Sequence, residues 1–91
     1  MTFEKRAAVL RTLLTQSASE YKLLKAAARV RDARIQVLRA TIGEMPSVIR
    51  TPEQNRRITK LDGQVESLRV TTPMAILAEF RLALQKASNE S

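Results

Sequence analysis

The sequence predicts an all-α protein in which a long N-terminal helix has two shorter helices folded back along it. This helical hairpin or three-helix bundle is expected to be completed by oligomerisation. Three observations carry the prediction. Read in alternating steps of four and three, Phe3, Ala7, Leu10, Leu14, Ser17, Tyr21, Leu24, Ala28, Arg31, Ile35, Leu38 and Ile42 form a single seam, apolar or largely apolar at ten of the twelve positions. Two Thr-Pro steps, Thr51-Pro52 and Thr72-Pro73, each set a hydroxyl N-cap before a proline at the first helical position. The chain holds only 2 Gly and 3 Pro, and Ala and Leu supply most of its apolar residues. At 91 residues with 44% hydrophobic content it reads as one small folded domain, residues 1–91, rather than a disordered chain.

Helix 1 is predicted over about residues 2–42, roughly 60 Å long. Thr2 serves as its N-cap, Glu4 sits near the positive end of the helix dipole, and Gly43 follows as the C′ residue. Ser17-Ala18-Ser19-Glu20 has the Ser-x-x-Glu spacing of a capping box, which ordinarily starts a helix. The seam keeps its phase across Ser17, however, and no Gly or Pro lies between Phe3 and Ile42. One continuous helix is the expectation, and a kink or split at Ser17 the alternative. Beside the seam runs a flanking row of Val9, Leu13, Leu23, Ala27, Val30 and Val37, a surplus that predicts self-association or a partner helix.

The connector Glu44–Arg50 follows, with Pro46 stopping the helix and Met45, Val48 and Ile49 making a packed turn. Helix 2 is predicted over about 52–69, on a seam of Ile58, Leu61, Val65 and Leu68. Gly63 inside it costs about 1 kcal/mol relative to Ala, and the β-branched run Val70-Thr71-Thr72 ends it. Helix 3 is predicted over about 73–88. Its face of Ile76, Leu77, Phe80, Ala83, Leu84 and Ala87 is wide enough for burial on two sides. A helix-turn-helix centred on Gly63 fits poorly, because Thr59 and Gln64 stand where small apolar or apolar residues belong.

The absence of Cys and His removes disulfides, thiolate and imidazole catalysis, and nearly all zinc sites. No Gly-rich phosphate loop, carboxylate pair or EF-hand spacing is present. The expectation is a protein that is not an enzyme, with no cofactor, metal or small-molecule substrate. The longest apolar run, Met74–Ala78, is far too short to span a membrane, and the N-terminus lacks a secretory pattern, so a cytoplasmic location is expected.

Charge is the strongest compositional signal, with 16 Lys and Arg against 9 Asp and Glu, a net +7. Such a balance favours polyanionic partners. On the side of helix 1 away from the seam fall Arg11, Lys22, Lys25, Arg29 and Arg39; Arg34 adds to the group, and Asp32 is the only acid between Tyr21 and Arg39. A second cluster, Arg50, Arg56, Arg57 and Lys60, lies at the connector and the start of helix 2. These ten residues are the candidate nucleic-acid or polyanion contacts. The candidate oligomer or partner seam is Leu10, Leu14, Tyr21, Leu24, Arg31, Ile35 and Leu38. Arg31 in that seam needs a carboxylate or carbonyl partner, with Glu66 or an acid of another subunit the candidates, or else snorkels to the seam's edge. The function expected is that of a self-associating helical protein whose basic face binds nucleic acid, a regulatory or phage- or plasmid-type accessory factor. The alternative is an assembly, structural or inhibitory subunit, with an acidic protein surface meeting the cations.

Overall fold

The computed structural model describes residues 2–45 and 49–90. It is all-α: α1 (Phe3–Thr15), α2 (Glu20–Gly43), α3 (Pro52–Arg69) and α4 (Pro73–Glu90), with no strand among the described residues. The central element is α2, roughly 36 Å long, and each of the other three helices packs against it.

The expected continuous helix 1 is therefore two helices. The chain leaves α1 at Gln16, and Ser17 adopts a left-handed backbone with φ 54°. The amide of Ala18 donates to the Leu13 carbonyl at 3.1 Å and that of Ser17 to the Leu14 carbonyl at 3.4 Å, the pair of bonds that closes a Schellman motif. Leu13 and Ala18 pack against the same core, supplying the apolar contact that accompanies such a cap. The next helix starts at Ser19, whose hydroxyl accepts from the Lys22 amide, with Glu20 in the first turn. The capping signal in this stretch thus belongs to Ser19, two residues beyond the first serine of the Ser-x-x-Glu spacing.

Folding α1 back explains where the flanking row goes. Ala7 and Leu10 of α1 meet Leu23, Ala26, Ala27 and Val30 of α2 and Ile76, Leu77 and Phe80 of α4 in one core. Three of these are alanines, which let the backbones approach closely. Leu23, Ala27 and Val30, read as surplus, are fully or almost fully buried within the chain. On α2 the residues in phase with the expected seam are displaced: Tyr21 is 70% exposed, and Leu24, Ile35 and Leu38 are half-buried.

The Thr-Pro steps open helices as expected. Thr51 accepts from the Gln54 amide while Gln54 Oε1 accepts from the Thr51 amide, a complete capping box ahead of α3. Thr72 caps α4, accepting from the Ala75 amide. α3 runs unbroken through Gly63, which rules out a turn of a helix-turn-helix there, and it buries Ile58 and Val65. Gly43 is the last residue of α2 rather than a left-handed C′ residue, since Glu44 continues in right-handed conformation. Pro46 and Val48 lie outside the described residues. No helix among the described residues is long and apolar enough to cross a membrane.

Candidate polyanion-binding groove

The break at 16–19 brings together residues that a straight helix would hold far apart. Arg6 and Arg29 are 23 positions apart, roughly 35 Å along a continuous helix. In the hairpin, Arg6 Nη1 donates to the Arg29 carbonyl at 3.1 Å. Between these helices lies a groove of about 240 Å³ lined by Arg6, Val9 and Leu13 from α1 and by Lys22, Lys25, Ala26 and Arg29 from α2. Its lining holds four cations and no acid. Val9, Leu13 and Ala26 make the floor apolar, and a low-dielectric wall strengthens the field of the cations around it.

Helix phase fixes this layout. Lys22, Lys25 and Arg29 recur at three and four residues, so they share one face of α2. Val9 and Leu13 are one turn apart on α1. Arg6 is the least comfortable member, because its Nε is buried with no acceptor among the described residues. Just beyond the rim, the Lys25 ammonium lies 5.2 Å from the centroid of the exposed Tyr21 ring, a cation–π pair one turn along α2.

Four of the acids, Glu20, Asp32, Glu66 and Glu79, are paired with arginines outside the groove. Arg34 Nη1 and Nη2 both donate to the Glu79 carboxylate at 2.9 Å, joining α2 to α4. The paired guanidinium holds the Glu79 carboxyl below its ordinary pKa, chiefly through these hydrogen bonds. Arg81 donates to Glu20 at 3.0 Å, and Arg69 to Glu66 at 3.1 Å. Arg31 pairs with Asp32 and donates through Nη1 to the Thr71 carbonyl at 3.1 Å, so its long-range partner is the α3–α4 joint and not Glu66.

The ten candidate polyanion contacts therefore divide. Lys22, Lys25 and Arg29 converge on the groove. Arg34 is tied to Glu79, and Arg11 and Arg34 flank the Phe80 ring at 5.5 and 5.9 Å from its centroid, with Arg34 also 5.4 Å from Phe3. Arg39 lines a separate, more open depression of about 420 Å³ with Arg31, Asp32, Ile35, Gln36 and Arg69. Arg50, Arg56, Arg57 and Lys60 are exposed at the start of α3, where Arg56 Nε donates to the Pro52 carbonyl at 3.4 Å. Of the candidate seam, Leu10 is in the core, Leu14 and Leu24 pack against it, and Arg31 clamps the joint. Arg6 was missed by sequence reasoning, and only recognition of the hairpin turn would have paired it with Arg29.

Comparison with protein-family models, curated proteins and solved structures finds no match to this chain. The functional reading therefore rests on its own residues.

Proposed function

We propose that this protein is a non-enzymatic helical nucleic-acid-binding factor that docks the phosphate backbone along the α1–α2 face. The observation that carries the reading is the gathering of Arg6, Lys22, Lys25 and Arg29 around one groove with no acid in its lining. A merely solvated helix face interleaves Glu with Lys and Arg, whereas here the nearby Glu20 pairs with Arg81 of α4. Four phosphate contacts give a log–log salt slope of roughly −2.8 for a single strand or −3.6 for a duplex. The test is a fluorescence-anisotropy titration with labelled oligonucleotides between about 50 and 200 mM salt. A slope near those values supports the reading, and no binding at the lower salt removes it.

A second reading, a protein–protein assembly subunit, draws support from Val70 and Met74, which are 80% and 67% exposed beside the α3–α4 joint. Self-association draws less on the flanking row than the pattern suggests, because Leu23, Ala27 and Val30 are spent inside the chain. Light scattering tests self-association: a monomeric mass throughout the binding range leaves the nucleic-acid reading to stand without it.

A further inference from the structure

Resting on the nucleic-acid reading, we infer that the α1–α2 groove selects single strands, taking one unstacked base on its apolar floor while its rim cations hold the flanking phosphates. A surface built for duplex DNA needs cations that follow phosphates and has no use for an apolar floor, because duplex bases keep their faces stacked. Single-stranded recognition combines a cationic track with surfaces on which exposed base faces lie. Both parts are present here. The floor of Val9, Leu13 and Ala26 is bracketed, with Arg6 and Arg29 joined at one end and Lys22 toward the hairpin turn at the other. Lys22 and Arg29 are roughly 10 Å apart along α2, so a strand running along the groove meets a cation at either end of the seated base. Tyr21 stands beyond the rim, 70% exposed and sharing Lys25 with the groove, where a neighbouring base can stack on its ring.

Size argues against the other amphiphilic polyanion, an acidic helix. Such a helix seats anchors at i, i+4 and i+7 along roughly 10 Å of groove. The α1 wall offers only Val9 and Leu13, one turn or roughly 6 Å apart. One flat group fits that span better than a row of side chains.

The experiment titrates the full chain with a labelled single strand and with a duplex of the same length, alongside Tyr21→Ala and Val9→Glu. Both positions are exposed, and circular dichroism checks that each variant keeps its helicity. Tyr21→Ala is expected to weaken single-strand binding about 10-fold and duplex binding by clearly less. Val9→Glu, which sets a carboxylate on the floor, is expected to weaken the single strand more than the duplex. Equal affinity for both nucleic acids, or variants that lower both alike, overturns the single-strand assignment while leaving nucleic-acid binding intact. Absence of binding to either, with binding of an acidic amphipathic peptide instead, overturns both.

Discussion

At Ser17 the backbone is left-handed, with φ 54°, a conformation in which a β-carbon crowds the following carbonyl. It is the only non-glycine residue with positive φ among the described residues. Glycine relieves that crowding at some cost in unfolded-chain entropy. Ser17→Gly is therefore expected to stabilise the protein by about 0.5–1 kcal/mol, read as a higher midpoint in urea with an unchanged slope. Glu79 supplies a pH dependence. Its folded pKa is lowered by the Arg34 hydrogen bonds, so the pair contributes stability above the unfolded-state pKa and loses it as pH falls through the folded value. The carboxylate is half exposed, which holds the contribution to no more than about 1 kcal/mol. In Glu79→Gln the drop in stability on the acid side is expected to be shallower than in the parent, measured by denaturant titration across that pH range.

Among the helices, α3 is the one that a single substitution most readily improves. Gly63 lies inside it, and a β-carbon built there meets nothing within 4 Å. Gly63→Ala is expected to add up to about 1 kcal/mol, detected as a raised thermal midpoint. Element boundaries were legible wherever local chemistry marked them: Thr51-Pro52 and Thr72-Pro73 announced α3 and α4, and the apolar spacing picked out Ile58 and Val65 as the buried face of α3. The division of α1 from α2 was not legible by the same means. The turn at 16–19 contains neither Gly nor Pro, and its length leaves the apolar phase of the flanking helices in step. Ser19 and Glu20 carried the signal locally, but periodicity on both sides outweighed it. Arg31 in the seam calls for a partner or a snorkelled head, and the carbonyl it meets, that of Thr71, depends on how α3 folds back on α2.

For the molecule as a whole, the candidate groove exists only because the chain doubles back. Its α2 cations were visible as a row lacking acids, whereas Arg6 and the apolar floor depend on the hairpin. Arg6 also offers a way to separate binding from folding. Its Nε is buried without an acceptor, and the carbonyl it bonds lies within α2. Arg6→Met keeps the apolar stem and discards the unmet donor, so stability is expected to hold or rise while polyanion affinity falls and the salt slope flattens by roughly 0.7–0.9. Paired denaturation and anisotropy measurements on one preparation read both effects. The placement of α2 has a further consequence. α1, α3 and α4 each lean on α2, and the core shared by α1 and α4 does not include the buried residues of α3. Such a hub with spokes is expected to let α3 open as a foldon of its own and leave the α1–α2 groove closed behind it, read as faster amide exchange in α3 than in α1 and α2.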